Sequence, residues 1–196
     1  KNYYENINGK VVNITDEIPF DIPDNWCWSR LKDIGTLTRG NGIKRSDVLD
    51  SGYPCVRYGE LYTTYKTCFN ETRSFTSLEN FDKSQKVKHN DILMTLTGEN
   101  KIDIATAVAY IGNNIIAMGG DMTCWSHHNM NPLYLASIIN SYYGMTCRRK
   151  YASGDIIVHI SNDKLGNILL PIAPLNEQNI IIKTINFLFN DVFNNI

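Results

Sequence analysis

Asp91-Ile92-Leu93-Met94-Thr95-Leu96-Thr97, closed by Gly98, is the stretch on which the fold class turns. Its apolar residues run on without helical spacing over a length that suits a strand, and a glycine ends it. Downstream, residues 105–111 and 115–118 read as two more strands, broken by the turn Gly112-Asn113-Asn114. Upstream, Pro54-Cys55-Val56-Arg57-Tyr58 and Leu61-Tyr62-Thr63-Thr64-Tyr65 are rich in β-formers. They read as strands between dense turn signals at Gly35, Gly40, Gly42, Gly52 and Gly59. Ile156-Ile157-Val158-His159-Ile160 gives a further strand, and residues 165–171 another apolar segment.

Helical signals lie mostly in the second half. Residues 132–147 suit a helix that Asn131 caps, with Pro132 at its first position, where an amide hydrogen would lack a partner anyway. Leu133, Leu135, Ile138, Ile139 and Tyr142 supply its apolar face, and Gly144 marks its end. From Asn176 on, Ile180, Ile181, Ile185, Leu188, Phe189, Val192 and Phe193 fall at helical spacing with no terminator, as in a helix cut mid-element. At the other end, residues 1–25 form an acidic leading arm with a turn at Asn8-Gly9 and an extended stretch from Ile18 to Pro23. Trp26, Trp28, Leu31 and Ile34 then mark a short, mostly buried segment. The expected fold is α+β: a twisted, largely antiparallel sheet with short helices, followed by the start of a long C-terminal helix. Lys1 rather than Met opens the chain, which points to a fragment or a processed form.

Composition sets limits on function. With 196 residues, 43% of them hydrophobic, the chain can bury one sizeable core. Nineteen Lys and Arg against 20 Asp and Glu leave a net charge of -1, so no general basic excess advertises nucleic acid. Distribution matters more than the sum. Residues 1–33 are net acidic, whereas Arg148, Arg149, Lys150 and Lys164 outnumber Asp155 and Asp163 in residues 148–164. Five cysteines, odd in number and never in a C-x-x-C pair, argue against a disulfide framework and for a reducing cytoplasm. Cys124 with His127 and His128 lacks a second ligand pair at metal-site spacing. No apolar run reaches membrane-spanning length, and no signal peptide opens the chain.

Two framework motifs carry a resemblance. Ile18-Pro19-Phe20-Asp21-Ile22-Pro23 followed by Trp26-x-Trp28-x-x-Leu31-x-x-Ile34-Gly35, and the closing Ile168-Leu169-Leu170-Pro171-x-x-Pro174-Leu175-x-Glu177-Gln178, together resemble target-recognition domains of Type I restriction–modification specificity subunits. Ala173 stands where that family often carries proline. The resemblance implies a leading arm over 1–25, a recognition domain over 26–173, and the start of a spacer or coiled-coil helix over 174–196. It implies sequence-specific binding to double-stranded DNA, reading one half of a bipartite target. The chain would hold no cofactor and no catalytic group. Partner methyltransferase and restriction/translocase subunits would supply the chemistry, binding S-adenosylmethionine, ATP and Mg²⁺ there. The C-terminal helix would pair with a second recognition domain or a second copy and set the distance between half-sites.

A DNA reader needs cations for phosphates and donors or acceptors for base edges. Arg39, Asn41, Lys44 and Arg45 sit on a glycine-punctuated segment; Arg can grip guanine and Asn adenine in bidentate fashion. The duller reading of the same segment is a solvated surface loop. Arg57, Tyr58, Tyr62, Tyr65 and Lys66 interleave aromatic and polar groups, which suits contact with DNA or simply a half-buried strand pair. Glu99, Asn100 and Lys101 follow the central strand and form either a base-reading loop or an ordinary turn. Gly119-Gly120-Asp121-Met122 is the weakest candidate.

Two other classes compete. Asn131-Pro132-Leu133-Tyr134 resembles the Asn-Pro-Pro-Tyr signature of amino-methylating DNA methyltransferases, but Leu133 replaces the second proline and no glycine-rich donor loop accompanies it. A helix cap explains Asn131-Pro132 fully. A β-rich extracellular ligand-binding module would need a secretion signal or disulfides. His127, His128 and His159 have no nucleophile elbow or paired acidic motif to work with; His159, inside an apolar strand, reads as a hydrogen-bonded core or surface group.

Overall fold

The computed structural model describes residues 1–193, with side chains through residue 188. In chain order the elements begin with β1 (Tyr4–Ile7), β2 (Lys10–Asn13), β3 (Cys27–Arg30), α1 (Leu31–Ile34), β4 (Thr36–Arg39) and β5 (Tyr53–Val56). The short α2 (Tyr58–Glu60) runs on into a π turn, Leu61–Tyr65. Then come β6 (Cys68–Phe69), β7 (Ser74–Thr76), α3 (Leu78–Lys83), β8 (Gln85–Val87), β9 (Ile92–Thr95) and β10 (Thr97–Gly98). β11 (Ala107–Tyr110), β12 (Ile116–Met118), β13 (Met122–Ser126), α4 (Pro132–Asn140) and α5 (Tyr142–Tyr151) follow. β14 (Val158–His159), α6 (Asn162–Gly166), β15 (Leu169–Ile172) and α7 (Leu175–Phe193) complete the described chain.

β9 lies in the middle of a five-stranded sheet of order β4-β13-β9-β11-β6. Its residues alternate between two cores, as the two-residue period of a strand requires. Ile92 and Met94 join Trp125, Leu135, Ile139, Leu165 and Leu170 in a core shared with the helices. Leu93, with Val108, Cys124 and Met122, faces the other way, onto Val56 and Met118 of a second sheet of order β7-β5-β12-β8. Burial on both faces is why residues 91–97 show an unbroken apolar run rather than polar alternation. Each fully buried aliphatic side chain here contributes roughly 1.5–3 kcal/mol.

Most strand pairs are antiparallel, as expected; β6 with β11 and β5 with β12 are parallel. Helix α4 lies along β11 and is fastened by Asn140, whose side chain bonds both the N–H and the carbonyl of Ala107 at 2.9 and 2.7 Å.

The two framework motifs meet in space. β3 pairs β15, with Arg30 opposite Leu169 and Cys27 opposite Ile172. Arg30 then grips the leading arm: its guanidinium donates to both carboxylate oxygens of Glu5 at 2.7 and 2.8 Å, to Glu17 at 3.1 Å, and to the Asn167 carbonyl. That hydrogen-bonded pairing pulls the Glu5 carboxyl below the usual carboxylate range. The arm contains the Asn8-Gly9 turn, and the turn closes a hairpin, β1 with β2, that the sequence reading did not anticipate.

Four expectations need correction. Leu61–Tyr65 is helical, not a strand. Glu60 accepts the Arg57 N–H at 2.8 Å and the Ser74 hydroxyl at 2.6 Å, which starts a helical turn, and Leu61 is driven into the core; burial outweighs β-propensity. Residues 132–147 are not one helix. Ser141, in extended conformation, breaks the chain: it donates its hydroxyl to the Ile138 carbonyl at 2.6 Å and caps α5 by accepting from Gly144 N–H. Gly144 does not end a helix but sits inside α5, where any side chain would run into the carbonyls of Ile138 and Ile139. Of residues 156–160 only Val158 and His159 form a strand, leaving Ile156 exposed.

Helix α7 starts where expected, but its first turns belong to the domain. Gln178, 1% exposed, accepts the Asn131 N–H at 3.0 Å and donates to the Ala173 carbonyl at 2.8 Å. Ile182 is buried, and Ile181 and Ile185 pack on the helix-side core. Ile180, Phe187 and Leu188 are exposed. The side chains of Phe189, Val192 and Phe193, expected on the apolar face, and residues 194–196 of the expected spacer lie outside what is described.

Candidate nucleic-acid interface

Several strands end at one side of the two sheets, and their loops form a row there. The Gly40 N–H, just past β4, donates to the Met122 carbonyl at the start of β13. The Gly119 N–H, just past β12, donates to the Val56 carbonyl at the end of β5. These two bonds gather the loops after β4, β5 and β12 around a cleft of about 560 Å³. Gly42, Ile43, Lys44, Arg45, Arg57, Tyr58, Gly59, Gly120 and Asp121 line it.

Lys44 and Arg45 are exposed at the cleft and pair with no carboxylate among the described residues. The Lys44 N–H bonds the Asp47 carboxylate at 2.8 Å, which fixes the backbone while leaving the ammonium free. Arg57 is half-buried beside them, with no partner for its Nε. Arg39 projects from the end of β4 and lies 3.8 Å from Asp121, an exposed pair of little energetic weight. Unpaired, positioned cations beside Tyr58 are the equipment that phosphate contacts need.

The other expected site residues divide. Tyr62 continues the row: its ring stands 6.4 Å from Tyr58, and burial, then the charges of Tyr58, Glu99 and Asp103, raise its phenol. Glu99 and Lys101 are exposed on the next loop. Asn100 is occupied in shaping that loop, accepting from the N–H groups of Ile102 and Asp103 and donating to the Asp103 carboxylate at 2.7 Å. Asn41 is occupied too, donating to the Lys83 carbonyl and accepting from Gln85 N–H, so it ties its loop to the α3–β8 connection. Tyr65 stacks on Phe69 at 4.1 Å and accepts the Arg73 N–H, which places it in the packing rather than the cleft. Lys66 is exposed at the far end of the π turn with φ of 60°.

Asp121, on the weakest of the sequence candidates, links three loops. Besides Arg39, it accepts from the Thr97 hydroxyl at 3.4 Å, and that hydroxyl lies 3.1 Å from His159 Nδ1. The signal was the Gly119-Gly120-Asp121 turn, where Asp121 adopts φ of 61°.

Among the described residues, no Cys or His lines the cleft. Burial raises the thiols of Cys68, Cys124 and Cys147 and pushes Cys55 up to about 12, far from nucleophilic thiolates. Among the described residues, no three His, Cys, Asp or Glu side chains converge as metal ligands. The Asn131-Pro132-Leu133-Tyr134 motif caps α4: Asn131 Oδ1 accepts from Leu133 and Tyr134 N–H. Tyr134 is 2% exposed; its hydroxyl donates to the Pro171 carbonyl and accepts the Ala173 N–H. A ring so held is not available to stack on a flipped base. A second, polar cleft of about 630 Å³ lies at the start of α7. Its buried His128 accepts from Met130 N–H and donates to the Asn90 carbonyl, a structural latch. No described helix is long and apolar enough to cross a membrane.

The Type I restriction modification DNA specificity domain family matches residues 23–195. Among curated proteins none matches. Solved structures share the fold. A chain from a study of complex assembly and conformational transition in the type I R-M system aligns at TM-score 0.64 with 17% identity, covering 89% of this chain and 40% of its own. The HsdS subunit from Thermoanaerobacter tengcongensis gives TM-score 0.62 and 16% identity, with the same coverages. The type I restriction-modification S subunit from M. genitalium gives 0.57 and 13%, covering 89% of this chain and 42% of that one. This chain therefore spans about two fifths of the length of the structures it resembles.

Proposed function

The chain belongs to the family of Type I restriction modification DNA specificity domains, and on that premise we propose that it reads one half of a bipartite site in duplex DNA. The observation that carries this reading is the convergence of Lys44, Arg45 and Arg57 with Tyr58 on one cleft, their charges unpaired with any described carboxylate. Cations held this way are free to meet phosphates, and the neighbouring loops present Tyr62, Glu99 and Lys101 for base edges. Of the other residues proposed as DNA contacts, Asn41 and Asn100 serve by shaping their loops.

The recognition domain takes in residues 26–173 and packs the first turns of α7 on its core, the arm over 1–25 is clamped by Arg30, and α7 beyond those turns begins the spacer helix. The exposed stripe Ile180, Phe187 and Leu188 fits a partner helix, from a second recognition domain or a second copy. Methyltransferase and restriction subunits supply catalysis, with their cofactors, to a reader working in the cytoplasm that has none of its own. The test is a titration of the specificity subunit carrying this chain against duplexes selected from a randomised pool, at low salt. Sequence-dependent binding is expected, together with no methyl transfer by the lone chain. Failure to bind any duplex overturns the reading.

A further inference from the structure

Ile156 is 87% exposed, the most exposed large hydrophobic side chain among the described residues, and Ile157 next to it is 56% exposed. Two adjacent side chains of this kind are costly to leave in water unless something covers them.

Their backbone is not loose. Ser153 and His159 exchange hydrogen bonds, Ser153 N–H to the His159 carbonyl at 2.9 Å and His159 N–H to the Ser153 carbonyl at 2.8 Å, so residues 154–158 form a strap pinned at its base. Gly154 makes the bend at φ of +100°, where a side chain would also run into the Ile157 carbonyl. Val158 is buried and pairs with Gly98, and the buried Arg148 guanidinium holds the adjoining loop through the Ile104 carbonyl. Ile156 is thus presented at the tip of a fixed support.

The support stands in the row of loops around the cleft. His159, at the root of the strap, touches Thr97; Thr97 bonds Asp121; and Asp121 meets Arg39 and lines the cleft with Lys44 and Arg45. We propose that Ile156, backed by Ile157, is an apolar probe that makes direct contact with bases of the duplex. The inference rests on the DNA-reading function above, and the cations linked to the root of the strap through Thr97 and Asp121 argue for a polyanion as the occupant. Apolar side chains discriminate bases by packing on the thymine methyl or by wedging into a base step, and either contact carries no charge.

The distinguishing property is therefore salt. In the specificity subunit carrying this chain, I156A should weaken binding to the selected duplex about tenfold, the scale of one lost base contact. It should leave the salt slope and the affinity for a scrambled duplex of the same composition unchanged. I156V should restore part of the loss. Replacing thymine by uracil position by position, and placing 2-aminopurine along the site, separates a methyl contact from an inserted wedge. Wild-type discrimination in both I156A and I157A overturns the proposal. So does unchanged DNA discrimination with weakened binding of the methyltransferase subunit, which would make the strap a protein-docking surface. If the wild-type subunit binds no duplex at all, it is the DNA-reading function that fails.

Discussion

The indole N–H of Trp26 donates to the Glu177 carboxylate at 2.8 Å, across 151 positions of sequence. Asn25 donates to the other oxygen of the same carboxylate, so the two framework motifs are held by one acid. Glu177→Ala should cost roughly 1–2 kcal/mol, the range for a hydrogen bond to a charged group on a partly exposed site. Chemical denaturation would read the loss, and tryptophan emission would shift as Trp26 meets water. Unchanged stability would mean that the strand pair β3–β15 alone closes the frame.

Lys44 and Arg45 should set the salt dependence of DNA binding. Each phosphate contact contributes about 0.9 to the slope of log affinity against log salt. Changing both residues to Ala should lower the slope by roughly 2 and weaken selected and scrambled duplexes alike. A slope equal to wild type would remove this loop from the interface.

Helix α7 should separate into two functions along its length. Phe187→Glu with Leu188→Glu, both exposed, should weaken subunit pairing in sedimentation while leaving the melting temperature close to wild type. Ile182→Ala, in the core, should cost about 2–5 kcal/mol. If the exposed pair unfolds the domain, this stretch of the helix belongs to the core as well.

Tyr134→Phe tests the methyltransferase-like motif. Loss of the hydroxyl strands the Pro171 carbonyl and the Ala173 N–H, at a cost of about 1–3 kcal/mol. Methylation by the assembled complex should survive in proportion to folded protein. Asn131→Ala should likewise cost about 1 kcal/mol through the lost cap. Abolished methylation with intact stability and DNA binding would give the motif a catalytic part.

His128 should make the fold acid-sensitive. Burial lowers its folded pKa below the ordinary 6.5, although the Asn90 carbonyl and Asp91 oppose the shift. Protonation then favours the unfolded chain, so this contribution to stability is present above pH 6.5 and lost as pH falls through the folded value. His128→Asn should be less stable at pH 8 and should flatten the decline below pH 6.5. Parallel curves for both proteins would assign the acid lability elsewhere.

Legibility in the sequence followed the locality of the cause. Asn131-Pro132 is a cap because of bonds made within three residues, and the apolar run around β9 records burial on two faces; both could be read. Met122–Ser126 mixes polar and apolar residues, and nothing local marks it as the strand beside β9. The helical turn after Arg57 depends on Ser74, fourteen residues from Glu60, and the Ser141 break on the room Gly144 leaves for α4. For the interface, the cation-bearing loop was visible as composition. That Asn41 and Asn100 are spent on backbone groups, and that Asp121 joins three loops, required the fold.

A sheet enclosed on both faces also divides the molecule by timescale. The amides of Leu93, Val108 and Cys124 are bonded at the centre of the sheet, so their exchange with solvent must await near-complete opening. The segments around Lys44 and Lys101 hang from its edge by a few hydrogen bonds each and can open at far lower free energy. Such a surface can reshape itself against a duplex many times within the lifetime of the frame that carries it.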